Sequence, residues 1–345
     1  MALNKKDLIT LAKTTAKADS SAKTAFSFNE KNFSYSQLSD TLRDELNEVA
    51  GSYQLYRENK NLLFTIMEET FDDVLPQKVL SQYGQFAEVR TFPQGTKAVW
   101  TQKITTNAKR RAKQFVTKVG LAGRYEVFKL DGKTYEVETS AFGGAAQIGF
   151  EEFLDGRVDF AEVTSIIMEG LDECVYLEIE RALKAAVTSL GVNNKVVFNA
   201  FDEKKMDNLL QIVDSYGSKG TIYCTYEFAA EMVPAQTWAW SDSMKQNHWD
   251  NGYFTTYKGH NVIILPQSYE DETNSVKVID PAYAWVIPSG AEKPVKIAFE
   301  GGTIVKDFEN RGDYSREIQV YKKMGVTAII ENNIGVYINT SLKRQ

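Results

Sequence analysis

The chain has 345 residues, 43% of them apolar and 25% charged, which exceeds the size at which one hydrophobic core stops growing and so excludes a single compact globule. Only Cys174 and Cys224 are present, so a disulfide framework is excluded and a reducing compartment is expected. A formal charge of −6 argues against a dedicated nucleic-acid binder, which carries a basic excess to displace counterions from phosphates.

Met1 to Lys13 mixes Lys5, Lys6 and Asp7 with Leu8, Ile9 and Leu11, unlike the unbroken apolar run of a secretory signal, and no later stretch reaches bilayer length. The protein is expected to be neither secreted by a signal nor membrane-spanning. Residues 1 to 25 read as a marginal amphipathic helix followed by a polar tether, an arm more than a core. Phe33 to Tyr56 is a better helix, with Ser34 as cap and Leu38, Leu42, Leu46 and Val49 on one face. A further helix is expected over Asn61 to Thr70, and Pro76 then closes this region.

From residue 84 the character changes. Strand-like runs at Gln85 to Phe92 and Ala98 to Ile104 flank the turn signal Pro93-Gln94-Gly95. Tyr125 to Leu130 and Lys133 to Glu138 alternate around Asp131-Gly132, which predicts a β-hairpin with a type I′ turn. Charge is also partitioned here. Val89 to Tyr125 holds nine basic residues and no acid, whereas Glu126 to Glu162 holds nine acids against three bases. Adjacent segments therefore have opposite signs, which by itself describes solvated faces.

After Gly156 the apolar period becomes helical: Phe160, Val163, Ile167, Leu171, Cys174, Ile179, Leu183, Ala186 and Leu190 recur mostly at three or four. Asp159 to Leu190 would make a rod of roughly 48 Å at 1.5 Å per residue, with Gly191 where a C-terminal cap belongs. Residues 195 to 290 then alternate: strands at Lys195 to Asn199, Thr221 to Thr225 and Asn261 to Leu265, and helices at Glu203 to Tyr216 and Tyr226 to Met232. Trp238 to Tyr257 reads as a long surface loop. Val295 to Phe299 and Arg316 to Met324 read as long antiparallel strands joined through Asp307 to Ser315, and Val326 to Ile338 supplies the last strand or two.

This order of elements resembles the tailed-bacteriophage major capsid family, the Hong Kong 97-type fold shared with encapsulins. At residue level the likeness lies in Arg311-Gly-Asp-Tyr-Ser-Arg316-Glu-Ile-Gln-Val-Tyr-Lys-Lys-Met-Gly325-Val-Thr-Ala-Ile-Ile330 and in Tyr257-Lys-Gly-His-Asn-Val-Ile-Ile264. The resemblance implies an α+β chain divided into an N-terminal arm (1–82), an extended β-hairpin loop (83–156) and a spine helix of the peripheral domain (157–194). An axial α/β domain (195–290), return strands of the peripheral domain (291–325) and a C-terminal strand of the axial domain (326–345) follow. It implies a head protein that self-assembles as hexamers and pentamers into an icosahedral shell around double-stranded DNA, built in the host cytoplasm and resident in the virion. Portal and scaffolding proteins, a decoration protein and nonspecific contact with packaged DNA are the implied partners. An encapsulin-like nanocompartment shell is the nearest alternative, and a cytosolic α/β enzyme using residues 195 to 290 the more distant one.

Residues that would carry chemistry are scarce, so no catalysis, metal or cofactor is expected. His248 and His260 are the only imidazoles, and Asp242, His248 and Asp250 form too sparse a set for a metal. Gly143-Gly-Ala-Ala-Gln-Ile-Gly149 and Gly217-Ser-Lys-Gly220 lack phosphate-loop spacing and read as turns. Cys174 and Cys224 fall at apolar positions and read as small core residues. Glu178 and Glu180 do not share a helix face. The residues expected to contact other subunits are Lys109, Arg110, Arg111 and Lys113 in the basic segment, Trp238, Trp240 and Trp249 in the aromatic region, and Arg311 and Arg316 at the return strands.

Overall fold

The computed structural model describes residues 4–18, 26–28, 31–102, 133–148, 160–215, 219–233, 241–265, 267, 269–271, 273–289, 293–309, 312, 315–329 and 333–342. Two compact units divide the chain: residues 1–98, 137–178 and 296–326 form one, and 99–136, 179–295 and 327–345 the other.

The first unit opens with three helices, α1 (Lys5–Lys17), α2 (Tyr35–Ala50) and α3 (Tyr53–Tyr83). A short ribbon of β1 (Phe26–Phe28) and β2 (Lys31–Phe33) separates the first two. The amphipathic helix expected near the start is present, and its stripe Leu8, Ile9, Leu11 and Ala12 is buried against α2 and α3. Ser34 caps α2 as read from the sequence, in a full capping box with Gln37. The expected stop at Pro76 does not occur, because α3 runs through it. An internal proline costs about 3 kcal/mol, but Phe71, Val74, Leu75, Val79 and Tyr83 are buried on both sides of it, and each such side chain contributes about 1.5–3 kcal/mol.

The sheet of this unit has the order β3-β12-β13-β6, from β3 (Ala87–Phe92), β6 (Ser140–Ile148), β12 (Val295–Glu309) and β13 (Arg316–Ala328). The glycine-rich run expected as a turn is therefore strand β6, paired antiparallel to β13 over its whole length. Gly143 has a packing reason: a Cβ there would meet the Val320 carbonyl oxygen. Along β12 the amides of Thr303 and Val305 donate to Asp72 (2.8 Å) and Glu68 (2.9 Å) of α3. Carboxylates of a helix thus satisfy N–H groups of the strand. The long helix expected from the 3.6-residue period is α4 (Phe160–Val187), with Ile167 lying 3.3 Å from where a Gly144 Cβ would sit. Lys78 of α3 pairs with Asp172 of α4 at 3.2 Å, and Tyr83 stacks on Tyr176.

In the second unit, β4 (Ala98–Gln102) and β5 (Lys133–Val137) pair as a separate ribbon. β5 is the second arm of the expected Asp131-Gly132 hairpin; its first arm lies outside the described residues. A mixed six-stranded sheet follows, ordered β7-β14-β11-β8-β10-β9. Its strands are β7 (Lys195–Phe198), β8 (Gly220–Cys224), β9 (Thr256–Tyr257), β10 (His260–Ile264), β11 (Tyr283–Pro288) and β14 (Gly335–Asn339). β11, which the sequence reading passed over, occupies a central place between β14 and β8. Helices α5 (Glu203–Asp214) and α6 (Tyr226–Glu231) supply Met206, Leu209, Leu210, Val213, Phe228 and Ala229 to its core. Lys258 and Gly259 both take positive φ, 48° and 85°, as a two-residue turn between β9 and β10 requires.

The expected loop over 238–257 contains a helix, α7 (Asp242–Asn251). Ser241 caps its start and Gly252, at φ 77°, terminates it. Its polar composition hid it, because none of its residues is buried and an unburied helix leaves no apolar period.

Candidate subunit-contact surfaces

In the second unit α7 is held through its C-terminal half. Asn247 Oδ1 accepts from the Thr255 amide at 3.2 Å, and its Nδ2 donates to Thr255 Oγ1 at 3.0 Å. The His248 ring lies 5.1 Å from that of Phe254. Tyr226 meets Tyr253 edge to face at 6.0 Å and crowds Gly252. These contacts leave Trp249 85% exposed and Tyr226 52% exposed. A tryptophan held in water on a rigid helix has large apolar area to bury at little entropic cost, the physical profile of an interface anchor.

In the first unit, alternation along β12 and β13 turns Ile304, Phe308 and Tyr321 outward, all among the exposed large apolar side chains. On β6 the paired positions are small: Gly143 lies opposite Tyr321, and Ala145 opposite Gln319. Charged side chains are buried in the same sheet. Lys322 is 1% exposed and binds Asp72 and the Gly301 carbonyl. Lys296, also 1% exposed, donates to Glu88 at 2.6 Å. Burial alone would raise the Glu88 carboxyl, but the hydrogen bonds and charges of Lys296 and Arg90 outweigh it and hold it below the ordinary glutamate range. Glu300 accepts from the Gly95 amide at 2.9 Å and from Thr139 and Lys323.

Of the residues expected to contact other subunits, Trp249 and Arg316 fall among those described, and they belong to different units. Lys109, Arg110, Arg111, Lys113, Trp238, Trp240 and Arg311 lie outside the described residues. Arg316 is engaged within its own chain, donating to Asp307 at 2.7 Å and Glu309 at 3.2 Å, beside the rings of Tyr53 and Tyr56. It ties the end of β12 to the start of β13. Ile304, Phe308 and Tyr321 escaped the sequence reading, although the alternation of β12 beyond Gly301 and of β13 carried the signal.

The residues considered for chemistry are occupied structurally. His260 is buried with Nδ1 2.9 Å from the Gly220 carbonyl oxygen. Asp242 pairs with Lys245, and Asp250 accepts from Gln246. Cys224 is fully buried, which pushes its thiol up to about 12. Among the described residues no group of three His, Cys, Asp or Glu side chains converges as a metal site, and no described helix is long and apolar enough to cross a membrane.

Comparison with known proteins supplies the family. The sequence family described as "SPbeta prophage-derived putative capsid protein YonB" matches this chain over residues 7–338. The chain belongs to this phage capsid family. Its fold is the α+β Hong Kong 97-type capsid fold, as the order of elements implied. A capsid chain titled "Capsid of native GTA particle computed with C5 symmetry" is similar at 11% identity and a TM-score of 0.50, over 74% of this chain and 89% of that one. The mature capsid of bacteriophage PhiM1 is similar at 9% identity and a TM-score of 0.47, over 74% and 86%. The holo-SrpI encapsulin complex from Synechococcus elongatus PCC 7942 is similar at 12% identity and a TM-score of 0.41, over 72% and 84%. No curated protein matches the sequence.

Proposed function

We propose that this capsid protein assembles with copies of itself as hexamers and pentamers into an icosahedral shell that encloses double-stranded DNA. The observation that carries the reading is the family match across residues 7–338. The exposed Trp249 and the outward Ile304, Phe308 and Tyr321 support it, since apolar area left in water by a subunit is area available to a neighbour. Assembly in the host cytoplasm, with separate portal and scaffolding proteins, follows from the same reading. No catalytic step is required of the chain.

The test is expression of the full chain followed by light scattering and negative-stain microscopy. Uniform closed particles tens of nanometres across are expected, and a stable monomer or dimer at high concentration would overturn the proposal. Nucleic acid recovered from purified virions, in place of a protein cargo, separates a DNA container from an encapsulin-like compartment. Trp249→Ala is expected to leave the subunit folded and to reduce particle yield by at least about tenfold, as loss of a hot-spot aromatic worth 2 kcal/mol or more would.

A further inference from the structure

β3 and β6 lie at opposite edges of the four-stranded sheet, with β12 and β13 between them. Three strand spacings of about 4.8 Å put those edges about 14 Å apart. Yet the chain leaving β3 runs into β4 and the chain returning to β6 comes from β5, and β4 and β5 pair with each other. The connections are short, Pro93 to Lys97 on the way out and Glu138 to Thr139 on the way back. They are drawn together across β12 and β13.

Both connections meet one carboxylate there, that of Glu300 on β12. The Gly95 amide donates to Oε1 at 2.9 Å, and Thr139 Oγ1 donates to Oε2. Lys323 Nζ of β13 lies 3.4 Å from Oε1, and the Glu300 side chain is 8% exposed. The hydrogen bonds from Thr139 and Gly95, with the charge of Lys323, hold the carboxyl below the ordinary glutamate range. It is therefore ionised at neutral pH, and a hydrogen bond to an ionised acceptor is roughly twice as strong as a neutral one. Two glycines admit the connections beside it. Gln94 Cβ lies 3.1 Å from where a Cβ on Gly301 would sit, and a Cβ on Gly325 would meet the Glu138 carbonyl oxygen. All of these residues belong to the first unit.

We propose that Glu300 is a conformational latch. Closed, its carboxylate holds both ends of the excursion of residues 96–138 on the sheet. Open, it frees both ends in one step while the β13–β6 ladder stays paired from Arg316 opposite Ile148 to Met324 opposite Ser140. Two independent contacts would open separately. A shared acceptor makes the opening free energy common, because a carboxylate that swings away from Thr139 also leaves the Gly95 amide. The device belongs to the subunit and does not depend on assembly.

Buried residues beside the two connections make reporters. Ala98, the first residue of β4, and Val137, the last of β5, are 2% and 4% exposed, and Val320 in the ladder is 2% exposed. Ala98→Cys, Val137→Cys and Val320→Cys, each introduced singly into the full chain, are labelled with a thiol reagent and read by peptide mass spectrometry, which separates the new site from Cys174. Adding Glu300→Ala is expected to speed labelling at Ala98→Cys and Val137→Cys together by at least about tenfold, as stranding a buried donor without its charged acceptor would. Labelling at Val320→Cys is expected to stay within about twofold. Thr139→Val removes only the contact on the return side, yet is expected to speed labelling at Ala98→Cys, on the outgoing side, by about threefold or more.

No change at either end in Glu300→Ala overturns the proposal. Acceleration at one end alone means independent contacts, and equal acceleration at Val320→Cys means a brace for the whole sheet; each overturns it as well. Should Glu300→Ala fail to fold, Thr139→Val, which keeps the side-chain size, carries the test on the same three reporters. Faster labelling at Val137→Cys with none at Ala98→Cys then refutes the latch.

Discussion

Asp72 is where one substitution should be most informative about how the first unit holds together. Its carboxylate accepts from the Thr303 amide at 2.8 Å, from Thr303 Oγ1 at 2.6 Å and from Lys322, whose side chain is 2% exposed. Replacing it with alanine strands a buried ammonium and an unpaired amide together. Breaking a buried ion pair from one side costs about 3–5 kcal/mol, and the lower end applies because the Asp72 side chain is itself 39% exposed and water reaches it. About 3 kcal/mol is close to a hundredfold in an equilibrium constant.

Hydrogen exchange read on peptides spanning β12 and β13 is the assay, since it reports local opening where a global melt would average over two units. Asp72→Ala is expected to reduce protection of Thr303 and its neighbours by about a hundredfold. The paired change Asp72→Leu with Lys322→Met, which removes both charges, should return most of it, because well-packed apolar replacements of a buried ion pair are often neutral. Protection within about threefold of the parent in Asp72→Ala, a difference below about 1 kcal/mol, would refute the view that this pair ties α3 to the ribbon.

Three further outcomes follow from the same structure. Gly325→Ala places a methyl group inside contact distance of the Glu138 carbonyl and the Thr139 Cα; backbone cannot yield cheaply, so a loss of at least about 2 kcal/mol is expected in chemical denaturation. A thiol reagent should label Cys174, which is partly exposed, and spare Cys224, which is buried with a raised thiol pKa, until denaturant is added; equal labelling rates in the native protein would contradict this. Because the Glu88 carboxyl is held below its ordinary range, the stability it supplies is present above the unfolded glutamate pKa and is lost as pH falls through the lowered folded value. Glu88→Gln should therefore melt lower at neutral pH and lose less on acidification than the parent, and an unchanged acid slope would count against the pairing.

Local periodicity made much of the chain legible. The apolar repeat of residues 160–190 became α4, Ser34 capped α2 as read, and the Lys258-Gly259 turn with its following strand appeared where Tyr257 to Ile264 suggested it. The misreadings share a cause. Pro76, the glycine run of β6 and the polar stretch of α7 each carry residues whose intrinsic preference points away from the observed element, and packing, pairing or capping overrode that preference. For the candidate surfaces, residue types such as Trp249 drew notice, but type does not show what a side chain faces. Arg316, read as a contact to other subunits, pairs with Asp307 and Glu309 of its own chain.

The sequence by itself determined the order of elements, the segregation of basic and acidic blocks and the scarcity of groups able to do chemistry, because these are properties of composition and spacing. Only the tertiary structure decided which charges are buried and which are exposed. Lys322 and Glu169 are each one charged residue in a mixed sequence, yet one is sealed against Asp72 and the other stands in solvent on α4. That difference is set by contacts between residues hundreds of positions apart, here 72 with 322, which no local pattern encodes.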